Sequence, residues 1–420
     1  MKNILFIIPW LPYPMKTGGH QALYNGIYAI KDDLRVSLAY EVYDKCEYER
    51  ALREFNKELP NIRHFPLIHT PVKPTIKRRL YNGIKSTIKN LMGHRKKLSF
   101  KKGVDNCKWW TDAVLPLKEE WLLHVKEITD SQSFDIIQVE MPWLLSQILT
   151  LPKESKRIFV HHELGFVRRE LELQRLQESP YIYAMKRFAD FCEIGELNMY
   201  DGVVTLSDLD AKKLFDNGIQ VPVYPSFSTV KSDKMFQFSY STEKRLTFVG
   251  SDVHTPNLIG LQWFLSNCWK KLRQQDSKYS LQIIGRWSKQ NIKKFISTYP
   301  NVVFLEYVDD LAEALKGSVM IVPITEGSGI RMKIIEAASI GVPFVSTTIG
   351  ASGIPVFDGA HCFIADNPDV FISAILNIQD AVLQEKFVKN SFKLVKERYS
   401  IEALRTNRLE IYDRVFVKET

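Results

Sequence analysis

A glycine-rich loop between an apolar strand and a helix is the segment of this sequence best suited to chemistry. The segment spans 323–336, where Gly327, Ser328 and Gly329 precede a helix that we expect to begin near Ile330. Backbone N–H groups of such a loop, together with the N-terminus of the following helix, form a favourable site for a phosphate group. The pattern therefore indicates binding of a phosphorylated ligand.

Three charged side chains after the loop extend this site. Arg331 and Lys333 place positive charge beside a bound phosphate, and Glu336 lies in the second turn of the predicted helix. A carboxylate at that position can accept hydrogen bonds from two ribose hydroxyls. These groups together meet the needs of a nucleoside diphosphate, so we predict a nucleotide site here.

The elements that position this site follow from the pattern of apolar residues. Short apolar strands alternate with helical segments, which predicts βαβ units and parallel sheets. The alternation stops between 225 and 245, where Ser, Thr, Lys and Asp dominate, and then begins again. We therefore predict an α/β chain with an N-terminal domain at 1–225, a C-terminal domain at 226–395 and a final helix at 396–420. Ligands of such sheets bind at the carboxyl ends of the strands.

Length and composition exclude several classes of protein. The chain has 420 residues, of which 45% are hydrophobic and 25% charged, so a disordered or fibrous chain is not expected. Its five cysteines are scattered and form no CxxC pair, which argues against a disulfide framework or a zinc knuckle and favours a reducing cytosol. No apolar stretch reaches the roughly 18 residues of a transmembrane helix, so we expect a cytoplasmic protein.

A strongly basic segment lies at 73–108. The net charge of the chain is +9, and this segment alone holds twelve Lys or Arg and one acid. Apolar residues recur within it at helical spacing, namely Ile76, Leu80, Ile84, Ile88 and Leu91. Two interpretations stay open: peripheral contact with an anionic surface on the inner face of the cytoplasmic membrane, or a solvated helix packed on its domain. No nucleic-acid module accompanies the segment, so a nucleic-acid partner is not expected.

The residues around the predicted nucleotide site resemble a known family. Positions 336–345 read E-A-A-S-I-G-V-P-F-V, which matches the form E-A-x-x-x-G-x-P-x-V of GT-B glycosyltransferases of the retaining family 4, also called group 1. The stretch 248–250 resembles the opening of that family's C-terminal domain, and Gly18-Gly19 resembles its N-terminal glycine loop. The resemblance implies two Rossmann-like domains that face each other across a cleft, an N-terminal acceptor-binding domain and a C-terminal nucleotide-sugar-binding domain. It also implies that the final helix crosses back to the N-terminal domain.

The resemblance also implies an activity. Members of the family transfer a sugar, here expected to be a hexosyl group, from a nucleotide-diphosphate sugar to an acceptor hydroxyl with retention at the anomeric carbon. The acceptor would be a glycan or a lipid-linked molecule in bacterial polysaccharide or glycolipid assembly. Arg331, Lys333 and backbone amides would stabilise the leaving diphosphate without a metal, so we expect no cofactor besides the nucleotide sugar itself.

The residue types and the resemblance together assign roles to individual positions. The expected catalytic residues are His161, His162, Glu326, Arg331 and Lys333. The expected donor-binding residues are Gly18, Gly19, Gly250, Arg286, Gly327, Ser328, Gly329 and Glu336. Glu140, at the end of another predicted strand, is expected on the acceptor side.

One position departs from the family pattern. The family commonly carries a second glutamate before the ribose-binding glutamate, with seven residues between the two, and here that position is Ser328. Two alternatives stay open. Either Glu326 takes the role of the missing glutamate, or backbone groups of 327–329 hold the donor sugar.

Other classes of function make different demands on the sequence. A sugar-nucleotide epimerase of the same architecture would bind the same donor but need no acceptor. A non-enzymatic protein would use the basic segment as a membrane-binding surface. A Rossmann dehydrogenase would need a G-x-G-x-x-G fingerprint after the first strand, which this sequence lacks. Asp208 and Asp210 have the spacing of a metal motif, but they follow Ser207 at a predicted helix start, where acidic residues are favoured.

Overall fold

The computed structural model describes most of the chain. The described residues are 1–15, 17–69, 110, 117–174, 176, 179–227, 229, 243–306, 308, 310–327 and 329–417. The basic segment 73–108 and Ser328 lie outside the described residues, so the expectations placed on them stay predictions.

A sheet of parallel strands forms the centre of the first domain. Its strands are β1 (Asn3–Ile7), β2 (Arg35–Val42), β3 (Arg63–Ile68), β4 (Ile136–Glu140), β5 (Lys156–His161), β6 (Gly202–Thr205) and β7 (Val223–Pro225). They lie in the order β3-β2-β1-β4-β5-β6-β7. Alternate residues of β1 enter two different apolar clusters, because successive side chains of a strand point to opposite faces of the sheet. Burial on both faces accounts for the uninterrupted apolar sequence of β1.

A second parallel sheet follows in the other half of the chain. Its strands are β8 (Arg245–Val249), β9 (Ser280–Ile284), β10 (Val302–Leu305), β11 (Val319–Val322), β12 (Phe344–Ser346) and β13 (Phe363–Ile364). They lie in the order β10-β9-β8-β11-β12-β13. One continuous apolar core surrounds this sheet.

Helices connect the strands and cover both sheets. Those of the first domain are α1 (Gly18–Ile30), α2 (Lys45–Glu58), α3 (Glu119–Ser131), α4 (Gly165–Leu173), α5 (Pro180–Leu197) and α6 (Asp208–Asp216), with a 3₁₀ helix at Pro142–Thr150. Those that follow are α7 (Thr255–Phe264), α8 (Lys270–Gln275), α9 (Lys289–Thr298), α10 (Leu311–Leu315), α11 (Met332–Ser339), α12 (Thr348–Ala351), α13 (Pro368–Asn377), α14 (Ala381–Arg398) and α15 (Ile401–Phe416), with a π-helical turn at Leu265–Trp269. None of the helices in the described ranges combines the length and the apolar character needed to span a membrane.

The first helix begins earlier than the sequence pattern suggests. We expected Gly18 and Gly19 to lie in a glycine loop, whereas α1 begins at Gly18. Thr17 is its N-cap, and the Thr17 hydroxyl accepts a hydrogen bond from the backbone N–H of His20 at 3.3 Å. A capped first turn tolerates glycine, so Gly18 and Gly19 are helical residues and their N–H groups belong to the N-terminus of α1.

The last helix returns to the first domain. Leu404, Ile411 and Val415 of α15 join one of the apolar clusters beside the first sheet. The Tyr412 hydroxyl donates to Oε1 of Gln138 in β4 at 2.7 Å. Helix α15 is therefore packed against the first domain although it follows the second sheet in the chain.

Candidate active site

The glycine loop between β11 and α11 wraps around a buried guanidinium group. Gly327 and Gly329 have φ angles of 110° and 76°, a left-handed conformation that favours glycine. A Cβ atom on Gly327 would lie 2.9 Å from Nη2 of Arg331 and 2.9 Å from Cγ of Pro256. Nη1 of Arg331 donates to the carbonyl oxygen of Gly329 at 2.8 Å. The loop therefore holds Arg331 directly beneath its backbone.

Lys333 is the second cation of this site and is tied to the start of the second domain. Its Nζ donates to Oδ1 of Asn257 at 3.0 Å and to the carbonyl oxygen of Val249. The same atom lies 4.8 Å from the ring centroid of Phe248. Burial, followed by the positive charge of Arg331, lowers the pKa of Lys333 to about 7. An arriving phosphate would stabilise the ammonium form.

Glu336 connects α11 to the first domain. Its carboxylate hydrogen-bonds to the side chain of Gln21 in α1. Burial raises the pKa of Glu336, while the hydrogen bond from Gln21 and the charge of Lys333 act in the opposite direction. A Cβ atom on Gly18 would lie 3.6 Å from Cγ of Met332. The N-termini of α1 and α11 therefore converge, and both direct N–H groups toward the space between the domains.

Gly250 and Arg286, two further predicted donor-binding residues, lie at the carboxyl ends of β8 and β9. A Cβ atom on Gly285 would lie 2.5 Å from the carbonyl oxygen of Gly250, and one on Gly250 would lie 2.7 Å from Nδ2 of Asn257. The two loops could not approach so closely if larger residues stood at 250 and 285. Close packing of the loops therefore accounts for glycine at position 250. Arg286, which follows Gly285, has an exposed side chain.

The two adjacent histidines at the end of β5 have different environments. The His162 side chain is partly exposed, and its Nε2 lies 2.7 Å from Oε2 of Glu140. The His161 side chain is fully enclosed, and its Nε2 lies 2.9 Å from Oε1 of Glu193. We expected catalytic roles for both histidines. The burial of His161 leaves His162 as the one of the two that can meet a substrate.

A buried charge network holds His161 in place. Glu193 accepts hydrogen bonds from the backbone N–H of Gly165 at 2.9 Å and from the guanidinium of Arg169. Nε of Arg169 donates to Asp190 at 2.7 Å. Burial alone would raise the pKa of Glu193, but hydrogen bonding to His161 and the charges of His161 and Arg169 lower it. The network fixes α4 and α5 against the end of β5 and so anchors the chain that carries His162.

A chain of hydrogen bonds orients His162 from the other side. Glu140 accepts from Nε2 of Gln138 at 2.6 Å through its second oxygen, and Gln138 in turn accepts from Tyr412 of α15. Sequence reasoning selected Glu140 but missed Gln138 and Tyr412. The sequence could have indicated Gln138, because residues two positions apart in a strand lie on the same face, and Gln138 precedes Glu140 by two positions in β4.

His254 interacts electrostatically with the candidate site but was not selected from the sequence. It precedes α7 and remains accessible. Desolvation, and then the positive charge of Arg331, lowers its pKa, and Glu163 of the first domain acts in the opposite direction. The pKa of Arg331 is also lowered by burial and raised by Glu163. The charges of the two domains thus act on one another across the cleft.

The remaining predicted positions lie at the start of the glycine loop and at the start of α6. Glu326 is half-buried at the start of the glycine loop. In the part of the chain that the structure describes, no group of three or more His, Cys, Asp or Glu side chains is arranged to hold a metal ion. Ser207 caps α6 by accepting from the backbone N–H of Asp210 at 3.0 Å, and Asp208 lies 3.4 Å from Arg398.

The fold defines a class of protein. Two parallel α/β domains with facing carboxyl edges, joined again by a returning final helix, form the GT-B architecture, which confirms the predicted fold class. Residues 243–380, which include the second sheet, match the family model of glycosyl transferases group 1.

Solved structures show the same architecture over the whole chain. TarM of S. aureus, in complex with fondaparinux, alpha-GlcNAc-glycerol and UDP, has a TM-score of 0.69 at 13% identity, covering 98% of this chain and 100% of that chain. Sucrose-phosphate synthase from Thermosynechococcus elongatus has a TM-score of 0.68 at 14% identity, covering 99% of each. Anabaena HepE in complex with UDP-glucose has a TM-score of 0.63 at 11% identity, covering 99% of this chain and 100% of that chain.

One relative is similar in sequence. It is an uncharacterized 44.6 kDa protein in the cps region of Klebsiella pneumoniae, 24% identical over 300 residues, which are 68% of this chain and 76% of that protein. Together the family model and the structural likenesses support a GT-B glycosyltransferase.

Proposed function

We propose that the chain is a retaining glycosyltransferase that moves a hexosyl group from a nucleotide-diphosphate sugar to an acceptor hydroxyl. One observation carries the proposal: Arg331, Lys333 and Glu336 lie together around a glycine loop, at the point where α11 meets α1. Positive charge, backbone N–H groups and a carboxylate are the groups that a nucleoside diphosphate requires.

In this proposal the side chains of Arg331 and Lys333 provide the main electrostatic stabilisation. Arg331 and Lys333, with the N–H groups of both helix N-termini, stabilise the negative charge that develops on the leaving diphosphate. We therefore expect the step to proceed without a metal ion. Glu336 holds the ribose, and the N–H groups of Gly18 and Gly19 face the phosphates.

The first domain would present the other reactants. His162, oriented by Glu140, faces the donor sugar, and Glu140 lies on the acceptor side. Either Glu326 or the backbone of 327–329 holds the donor sugar in place of the missing family glutamate. Retention at the anomeric carbon follows from the resemblance to family 4.

The relatives support the choice of substrates. The TarM structure contains UDP and a GlcNAc-glycerol, and the HepE structure contains UDP-glucose. We therefore favour a nucleotide-sugar donor and a glycan or lipid-linked acceptor. The relative in a cps region supports a role in bacterial polysaccharide or glycolipid assembly.

We further propose that the protein works in the cytoplasm, peripheral to the inner face of the membrane. The proposal rests on the basic composition of 73–108. Sedimentation with phosphatidylglycerol vesicles should bring the protein down at low salt, whereas phosphatidylcholine vesicles should not. Equal recovery of the protein with both kinds of vesicle would contradict a role for charge in membrane binding.

Proton NMR of donor turnover tests the activity. UDP-glucose, UDP-GlcNAc, GDP-mannose and ADP-glucose are each incubated with the protein, concentrated methyl glycosides and EDTA. We expect one donor to give free nucleoside diphosphate and a new glycoside with the anomeric configuration of the donor. A product of opposite configuration would overturn retention, a need for added metal would overturn metal independence, and an epimerised nucleotide sugar without transfer would indicate an epimerase.

A further inference from the structure

Three aromatic rings form a wall on the first-domain side of the cleft. Trp10 follows β1, His20 lies in the first turn of α1, and Trp143 lies in the 3₁₀ helix after β4. The ring centroids of Trp10 and His20 are 5.2 Å apart with an angle of 27° between the ring planes. Those of Trp10 and Trp143 are 5.7 Å apart with an angle of 33°. We call these three residues the aromatic wall.

The aromatic wall adjoins the residues assigned to the reaction. Trp143 follows Glu140 by three positions, and Glu140 is bonded to His162. A Cβ atom on Gly19 would lie 3.4 Å from Cε of Met141. The first turn of α1, which carries His20, is therefore in contact with the bend that leads from Glu140 to Trp143.

The bend that presents Trp143 has an unusual backbone. Met141 has a φ angle of 81°, in a region that residues other than glycine seldom adopt. Such conformations persist where the surrounding structure enforces them, and they concentrate at functional sites. Here the bend directs the chain from Glu140 into the 3₁₀ helix and sets Trp143 beside Trp10.

Trp143 offers an accessible indole surface at this position. Its side chain is 43% exposed, although an indole is among the largest apolar surfaces that a protein can bury. Ligand sites combine such aromatic surfaces with a few polar groups that fix orientation. Here the polar groups are His20, whose Nδ1 lies 2.7 Å from the Thr17 hydroxyl, and the His162–Glu140 pair.

This combination suits a sugar ring better than a hydrocarbon chain. The face of an aromatic ring is electronegative and attracts the C–H groups of a pyranose, while the sugar hydroxyls can hydrogen-bond to the polar groups at the edge. A hydrocarbon chain would instead remove water from those polar groups without replacing its hydrogen bonds. We propose that the aromatic wall is the acceptor subsite and that a pyranose ring of the acceptor stacks on Trp143. The inference rests on the proposed function and narrows its acceptor to a glycan at this subsite.

Saturation-transfer NMR with simple sugars tests the subsite. The probes are methyl α-D-glucopyranoside, methyl β-D-galactopyranoside and N-acetylglucosamine, measured with and without saturating UDP, GDP or ADP. The variants are Trp143→Ala, Trp143→Phe and the control Phe191→Ala, whose side chain in α5 is 76% exposed. We expect saturation of the ring C–H protons of at least one sugar. Trp143→Ala should lower the saturation of these sugar protons at least fivefold, and Trp143→Phe should keep about half of it. The control Phe191→Ala should leave the saturation unchanged.

Three results would overturn the subsite. One is equal saturation in wild type and Trp143→Ala, and another is no sugar signal from a wild-type protein that binds a nucleotide. Monomeric dihexanoylphosphatidylcholine is tested alongside, and a lipid signal lost in Trp143→Ala without any sugar signal would also overturn it. If the sugar signal depends on Trp143 but no nucleotide binds, Trp143 is part of a sugar-binding site, while the proposed function and the role of that site as an acceptor subsite both fail.

Discussion

Replacing Lys333 with methionine is expected to lower kcat/KM for the nucleotide sugar by about 10²–10³-fold, the usual effect of removing one group that stabilises developing negative charge. Methionine preserves the length of the side chain but removes the ammonium that hydrogen-bonds to Asn257 and Val249. Steady-state kinetics with the donor identified by NMR measure the effect. Lys293→Met, which removes an exposed lysine from α9, is the matched control. Equal losses in the two variants would contradict a specific role for Lys333.

The same lysine should determine the pH dependence of the reaction. Burial lowers the pKa of Lys333 to about 7, so the group is charged below that pH and becomes neutral above it. Because donor capture needs the charged form, kcat/KM should be level below about pH 7 and fall by up to tenfold per pH unit above it. In Lys333→Arg this fall should disappear, since a guanidinium stays charged. A wild-type profile that remains level to pH 9 would contradict the assignment.

Replacing Glu336 with alanine is expected to raise the Kd of the nucleotide by roughly 10²–10⁴-fold. In the proposed ribose site, two hydrogen bonds from ribose hydroxyls to the carboxylate would be lost, each worth about 1.5–3 kcal/mol. Loss of the Gln21 contact should also loosen the approach of α1 to α11. Isothermal titration of wild type, Glu336→Ala and Glu336→Gln measures the effect.

Glu385→Ala serves as the control, because Glu385 is a half-exposed acid on α14 that forms an ion pair with Lys389 of the same helix. We expect its affinity for the nucleotide to equal that of wild type. Glutamine at 336 should retain part of the affinity through its carbonyl oxygen. An unchanged Kd in Glu336→Ala would remove the ribose role from Glu336.

The strand, the glycine loop and the helix at 323–336 could be predicted because their signal is local. Glycine spacing, the apolar strand and the charges that follow all lie within fourteen positions of the sequence. The parallel sheets could be predicted for a related reason, since strands buried on both faces have continuous apolar sequences. The exact start of α1 could not be predicted from the sequence. The stabilisation that the Thr17 cap gives to the first turn outweighs the low helix propensity of the two glycines that follow it.

The two histidines show where sequence reasoning ends. His161 and His162 are adjacent, and successive side chains at the end of a strand point in opposite directions. Which of them faces the cleft depends on Glu193 in α5 and Glu140 in β4, and neither pairing can be derived from spacing. The contacts of Lys333 with Val249 and of Glu336 with Gln21 are likewise long-range. The types of the site residues were thus predictable, whereas their partners required the fold.

The most direct measurement is a thermal-shift panel with UDP, GDP, ADP and their common sugar conjugates at millimolar concentration, without added metal. A ligand at about 100 times its Kd should add roughly 2.7 kcal/mol of stability. We expect a clear shift with one nucleotide, and loss of that shift in Glu336→Ala and Lys333→Met. If a folded wild-type protein shows no shift with any nucleotide, the site at 323–336 does not bind a nucleoside diphosphate and the glycosyltransferase proposal is contradicted.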